Sequence, residues 1–162
     1  MIETEAKIRL DGKDVNHIKC LIEIPEFVLQ KNKIYFLDNG FLRIREEEGN
    51  NFLTFKGKKL NEKYNSREEI EVKVDNSQAL ENLLNSLGYN VNFYYEKMRA
   101  KFELNNCAVC LDKLSDEYYL EVEGSEKDIS EVIDFFGLSN KPLEERSYQE
   151  IMQMKEKNKK RV

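Results

Sequence analysis

The chain is short of the residues from which zinc centres, disulfide frameworks and membrane spans are built. Its 162 residues include one histidine, His17, and three cysteines, Cys20, Cys107 and Cys110. A lone histidine and a single Cys-x-x-Cys speak against a zinc site. An odd cysteine count with no signal-peptide pattern at the start points to free thiols in a reducing compartment. Cys107 and Cys110 lie three apart, and on an alternating strand such residues face opposite sides, so no shared metal or redox role is expected of them. His17 falls on a helical stretch beside Val15 and Ile18 and is expected at or near the surface. No apolar run approaches membrane-spanning length. The expectation is a soluble cytoplasmic protein without a membrane partner.

Charge is what the chain has in quantity. Charged residues make up 35% of it, yet 26 basic against 31 acidic residues leave a net charge of only -5. That balance does not announce a nucleic-acid surface, and no nucleic-acid partner is expected. It points to charges arranged against each other or around a charged ligand. With 40% hydrophobic residues there is enough apolar material for one domain with its own core. There is no repeat of fixed period and no linker, so residues 1–162 are read as one domain, with a basic tail over 155–162 expected to fray.

Strand-like alternation dominates. Runs are expected over 2–10, 27–36, 41–47, 52–58, 67–74, 91–104, 107–114 and 117–123. Glu48-Gly49-Asn50-Asn51, Asn105-Asn106 and Ser115-Asp116 serve as turn signals between them. Asp14 is expected to cap a short helix that ends before Pro25. Asp75 or Ser77 opens a helix with Leu80, Leu83, Leu84 and Leu87 on one face and Gly88 as its stop. Ser125 opens one with Ile129, Val132, Ile133 and Phe136. Ser147 and Glu150 form a capping box for a last helix. The lysine-rich stretch from Gly57 to Ser66 reads as a mobile loop. About eight long antiparallel strands tend to close into a barrel, which removes exposed edges.

Splitting each strand by parity gives the most informative pattern. Glu3, Glu5 and Lys7 oppose Thr4, Ala6 and Ile8. Arg43 and Arg45 oppose Leu42 and Ile44, and Thr54 and Lys56 oppose Leu53 and Phe55. Arg67, Glu69, Glu71 and Lys73 oppose Ile70, Val72 and Val74. Lys97 and Arg99 oppose Met98 and Ala100. Asp112 opposes Leu111, and Tyr119, Glu121 and Glu123 oppose Leu120 and Val122. One reading is a sheet with its polar face in water. The other is an inverted barrel, apolar outside under helices and charged within. Such a lumen would have to be wet and paired, because isolated buried charges are prohibitively costly. It would suit a polyanion with cations, since Arg and Lys neutralise phosphate oxygens while carboxylates hold Mg²⁺ or Mn²⁺.

These residues, taken in order, resemble the CYTH superfamily, the triphosphate tunnel metalloenzymes. Glu3-x-Glu5-x-Lys7 is similar to the family's first-strand ExExK. Gln30 with Tyr35-Phe36 resembles its Q…YF segment, and Leu42-Arg43-Ile44-Arg45 its LRIR. Thr54-Phe55-Lys56-Gly57 is similar to TxKG, and Arg67-x-Glu69-x-Glu71 to RxExE. Lys97-x-Arg99, the late Asp112…Glu121-x-Glu123 and Ser147-Tyr148 complete the series. The resemblance spans nearly the whole chain.

It implies an α+β fold: an eight-stranded antiparallel closed β-barrel with a charged lumen and helices packed outside. It implies a Mg²⁺ or Mn²⁺ cofactor, with Glu3, Glu5, Glu69, Asp112, Glu121 and Glu123 on the metal side. Lys7, Arg43, Arg45, Lys56, Arg67, Lys97 and Arg99 would grip the triphosphate, with Glu3, Glu5 and Lys7 at the chemistry. Glu71, Lys73 and an acid near Glu123 are expected to serve as ion pairs only. The implied partner is ATP, tripolyphosphate or thiamine triphosphate, and a homodimer is compatible with the family by analogy alone. Gly57 to Leu60, Ser66 to Val72 and Leu87-Gly88-Tyr89 look most like the class IV adenylyl cyclase branch. A triphosphatase and a non-catalytic polyphosphate sensor are the rivals, and the full set of acids argues against the sensor. The chain departs from the family pattern in the short lead into Leu42, in Lys31 and Asn32 where an acid usually follows the glutamine, in Leu37 after Tyr35-Phe36, in Arg146 and in a short first helix.

Overall fold

The alternating segments form eight antiparallel strands in a computed structural model that describes residues 1–60 and 64–159, without the side chains of 158 and 159. The strands are β1 (Ile2–Leu10), β2 (Val28–Leu37), β3 (Gly40–Glu47), β4 (Asn50–Gly57), β5 (Asn65–Val74), β6 (Phe93–Leu104), β7 (Cys107–Leu114) and β8 (Glu117–Glu123). They close in a ring in the order β1-β5-β4-β3-β2-β6-β7-β8. The helices are α1 (Gly12–Leu21), α2 (Ser77–Ser86), α3 (Glu126–Phe135) and α4 (Tyr148–Lys159). Part of the stretch expected as a mobile loop, residues 61–63, lies outside the described residues.

Tight turns set the register of the hairpins. Glu48 and Gly49 both have positive φ (48° and 74°), as do Asn105 and Asn106 (48° and 60°). This is the backbone twist that two-residue hairpins favour. The strands they join pair Glu47 with Asn50 and Leu104 with Cys107. The turn residues are therefore one pair shorter than the four-residue signal at 48–51 suggested.

The apolar parity faces outward, under helices. Ala6, Ile8 and Leu10 of β1 join Ala100, Val109, Leu111, Leu120 and Val122 of β6 to β8 beneath Val15 and Ile18 of α1 and Ile129, Val132 and Ile133 of α3. A second, smaller cluster sets Tyr35, Leu42, Ile44 and Leu53 of β2 to β4 against Leu80 and Leu84 of α2. Among the described residues the outer face of β5 has no such cover: Ile70 and Val72 are about half exposed.

One local expectation changes. The N-cap of α1 is Asp11, whose carboxylate accepts from the backbone N–H groups of Lys13 and Asp14, while Asp14 reaches back to the Asp11 N–H. Asp14 is thus the closing member of the capping box, not its N-cap. The last helix runs to Lys159, with Lys155 paired to Glu117 at 2.6 Å, and residues 160–162 of the basic tail lie outside the described residues.

α4 also sits differently from the other three helices. Its Tyr148, Ile151 and Met152 pack against Ile34, Tyr95, Leu114 and Tyr119, all of which share the inward parity of their strands. The chain is led there along β1. Beyond the stretch of β1 paired with β5, Leu143 bridges to Ile8 and the Glu144 N–H donates to the Lys7 carbonyl.

Candidate active site

Because Ala6 and Ile8 face the helices, Glu3, Glu5 and Lys7 must face the lumen, and the other charged parities follow around the ring. The result is a cavity of about 240 Å³ lined, among the described residues, by six carboxylates and eight basic side chains. Of the expected site residues, Glu3, Glu5, Lys7, Arg43, Arg45, Lys56, Arg67, Glu69, Lys97, Arg99, Glu121 and Glu123 all line it. Lys73 does not.

Asp112 does not line it either, which corrects its expected place among the metal-side acids. It is fully buried and its carboxylate accepts from Lys97 Nζ (2.9 Å), Arg99 Nε (2.7 Å) and Tyr148 Oη (2.5 Å). Burial works against its charge, but Arg99 and Lys97 hold its carboxyl below the ordinary range. With its lone pairs so occupied, Asp112 anchors the basic side chains instead of offering oxygen to a cation.

The lining acids fall into two groups. Glu121 belongs with Asp112: it meets Arg99, Lys7 at 3.3 Å and Lys97 at 4.0 Å. Although burial opposes ionisation, these cations hold it well below the ordinary range. Glu3 and Glu123 are in the opposite condition. Burial and the Glu69 and Glu123 carboxylates push Glu3 up to about 7, and it shares a hydrogen bond with Glu69. Burial, Glu5 and Glu69 raise Glu123 likewise. Glu69 stands between the groups, ion-paired with Lys56 and, at 3.6 Å, with Arg43. Carboxylates that raise one another are underneutralised, and a cation would relieve them.

The basic side chains divide too. Arg43 and Arg45 are engaged by Glu71, which lies 3.4 and 3.1 Å from them and accepts from Thr54 at 2.7 Å. Arg99 is clamped by Asp112 and Glu121. Lys7 and Lys97 are almost fully buried but titrate in opposite directions. Burial lowers both; Glu121 and Glu5 outweigh it at Lys7, whereas Arg99 adds to it at Lys97, which is held down to about 8. Among the described residues Arg67 and Lys101 make no ion pair, so their charge is open to the cavity.

The residues fit a hard divalent cation by the chemistry of the donor set. Glu3, Glu5, Glu69 and Glu123 offer oxygen alone, the donor Mg²⁺ and Mn²⁺ prefer. Among the described residues no three His, Cys, Asp or Glu side chains are already gathered as a metal cage. Mg²⁺ seldom uses one: it is held by one or two carboxylates together with substrate phosphates and water.

Parity did not reveal every lining residue. Lys101 was legible, since it continues the Lys97-x-Arg99 alternation. Tyr95 shares the same inward parity but is not charged. Ser147, Tyr148 and Gln149 also line the cavity, and they come from the first turn of a helix, where no period-two pattern exists. Cys110 lines the lumen while Cys107 packs in the outer core, and both are free thiols. His17 is exposed. Among the described residues no helix is long and apolar enough to cross a membrane.

A closed ring of eight antiparallel strands around a lumen of paired acids and bases defines the class of protein. The CYTH domain model matches residues 1–148, and the chain belongs to that family. A protein from Methanocaldococcus jannaschii named "putative adenylate cyclase" is 33% identical over 144 residues, 81% of each chain. A solved structure from Pyrococcus horikoshii OT3 shares the fold with a TM-score of 0.81 at 24% identity, over 91% of this chain and 98% of that one. So does a Hippeastrum protein, with a TM-score of 0.67 at 16% identity over 90% and 92% of the two chains. The Hippeastrum protein is described as a "putative adenylyl cyclase" with a dominant triphosphatase activity.

Proposed function

We propose that this chain is a divalent-metal-dependent enzyme acting on a triphosphate, of the class IV adenylyl cyclase type. The observation that carries the reading is the division of the lumen. Underneutralised acids (Glu3, Glu123) face other carboxylates while an excess of bases lines the remainder, with Arg67 and Lys101 uncommitted among the described residues. A polyanion needs the bases, and anion binding alone gives no use for the acids. The Methanocaldococcus relative supports the cyclase reading by its name.

Catalysis in such a site rests on positioning and charge neutralisation. A bound Mg²⁺ or Mn²⁺ would supply Lewis-acid neutralisation of phosphate oxygens, and Glu3, Glu5, Glu69 and Glu123 would hold it. Arg67 and Lys101, unpaired among the described residues, are free to meet an incoming anion. Lys56, Arg43, Arg45, Lys7 and Lys97 give up part of their carboxylate pairing to phosphate oxygens. In the cyclase reaction the ribose 3′-oxygen forms a bond to the α-phosphorus. The bond from that phosphorus to the bridging oxygen breaks, pyrophosphate leaves, and the hydroxyl proton passes to a base. A second reading is hydrolysis, in which water attacks the terminal phosphorus and phosphate and a diphosphate leave. Two observations favour weighing it: the activity described for the Hippeastrum neighbour, and a lining whose aromatic side chains, among the described residues, are Phe41, Tyr95 and Tyr148 alone.

The test is product analysis after incubation with Mg²⁺ or Mn²⁺ and ATP, tripolyphosphate or thiamine triphosphate. Cyclic AMP from ATP is the expected result. Phosphate from tripolyphosphate with no cyclic AMP selects the hydrolase. Tight binding without turnover of any of the three overturns both and leaves a sensor. Glu5→Gln is expected to abolish turnover with an unchanged fold by circular dichroism, and full activity in that variant would remove the metal assignment.

A further inference from the structure

The first residue of α4 is built into the floor of the cavity in a way that no strand pattern announces. The Tyr148 ring lies 4.4 Å from Lys7 Nζ and 4.2 Å from Lys97 Nζ. Its hydroxyl donates to Asp112 at 2.5 Å, the carboxylate that also holds Lys97 and Arg99. Tyr119 meets the ring edge-on at 5.6 Å, and Tyr95 is tilted against it at 6.4 Å. The same segment supplies a second tie, since Lys7 Nζ donates to the Arg146 carbonyl at 3.1 Å. Ser147 caps the helix reciprocally with Glu150, which fixes the start of α4. Two like-charged ammonium groups, each almost fully buried, are costly to hold around one ring. An aromatic face offers each of them a stationary negative surface, and the tyrosine's own rotamer is locked by Asp112 and the neighbouring rings.

We propose that Tyr148 is a positioning residue: it sets the Lys7 and Lys97 ammonium groups in the lumen, so that the seating of α4 decides how well the cavity holds a triphosphate. The part that concerns the triphosphate rests on the function proposed above; the ordering of the two lysines does not. The strands alone place Lys7 and Lys97 on the correct face, but a lysine side chain has four rotatable bonds and its position within the lumen is set by what it touches. In the free protein those contacts are Glu5, Glu121, Asp112, the Arg146 carbonyl and the Tyr148 ring. A triphosphate competes for the three carboxylates and leaves the last two in place. Of these two, Tyr148 is the one that both lysines share, and it comes from an element outside the ring of strands.

The experiment compares Tyr148→Phe, which keeps the ring and loses the hydroxyl, with Tyr148→Met, which fills similar space without a ring. In the free protein, competitive lysine acylation read by mass spectrometry is expected to show Lys7 and Lys97 labelling at least fivefold faster in Y148M and less than twofold faster in Y148F. Exposed lysines such as Lys127 serve as the internal reference. Calorimetric titration with magnesium tripolyphosphate is expected to show about tenfold weaker binding in Y148M and less than threefold in Y148F. Labelling at the wild-type rate in Y148M overturns the proposal. Faster labelling in Y148M beside a wild-type chain that fails to bind tripolyphosphate overturns the functional reading and keeps the lysine positioning. A second measurement needs no variant. In wild-type protein in urea below its global transition, amide exchange of α4 and acylation of Lys7 and Lys97 are expected to rise together. Labelling that stays at its baseline while α4 exchanges overturns the proposal whatever the variants do.

Discussion

Glu3 and Glu121 are identical side chains on strands that lie side by side, and the lumen holds them in opposite states. Glu121 is surrounded by Arg99, Lys97 and Lys7 and stays ionised; Glu3 faces other carboxylates and takes up a proton near pH 7. A raised carboxyl has a definite sign in stability. The unfolded chain releases the Glu3 proton near 4.5 and the folded chain near 7. The contribution of protonated Glu3 is therefore fully present below about pH 4.5 and is lost as pH rises through about 7. In the absence of divalent cations, Glu3→Gln is expected to gain on wild type in melting temperature as pH rises from about 4.5 to about 7, with the gap levelling off above that. A gap independent of pH would remove the assignment. Lys56 is the basic counterpart, paired to Glu69 at the border of the two acid groups. Lys56→Ala is expected to weaken tripolyphosphate binding about tenfold, or ~1.4 kcal/mol, by calorimetric titration. An unchanged affinity would count against its role.

At the scale of the element, alternation does most of the work and local chemistry finishes it. Period-two patterning placed each charged face without ambiguity once one face was known to lie under helices, which is why nearly every expected lumen residue reaches the cavity. Where an element's end was set by a single side chain, the reading slipped. Asp11 and Asp14 are both fit to cap α1, and only the direction of the carboxylates relative to the first backbone N–H groups decides between them. The β3–β4 hairpin has its own fixed point. Gly40 has φ 154°, and a Cβ there would lie 2.1 Å from the Lys56 carbonyl oxygen. Gly40→Ala is expected to cost about 2 kcal/mol or more in urea unfolding, since the backbone must move. Because Lys56 is the residue displaced, tripolyphosphate affinity is expected to fall as well; a variant of wild-type stability would show that the contact relaxes freely.

The whole molecule carries a net charge of -5 and yet surrounds a cavity with more bases than acids. Ring closure makes this workable, because it leaves the strands no unpaired edge and lets opposite charges on different strands meet across the lumen. Several buried charges then await a ligand, and ligand binding should appear as stability. Tripolyphosphate with Mg²⁺ at a hundred times its dissociation constant is expected to add about 2.7 kcal/mol. It should raise the melting temperature well beyond that in sodium sulfate of equal ionic strength. Equal shifts in the two salts would mean that the lumen does not discriminate the polyanion.

The sequence by itself determined the eight strands, their charged faces and the family, because alternation and ordered short motifs are properties of neighbouring residues. Alternation alone could not choose between a water-facing sheet and a lined cavity, since that depends on whether β1 meets both β5 and β8. Only the tertiary structure decided that Ile70 and Val72 on β5's outer face stay half exposed, that Asp112 spends its oxygens on Lys97, Arg99 and Tyr148, and that α4 turns its first residue into the lumen. Each of these rests on contacts between residues far apart in the chain, whose partners no local period encodes.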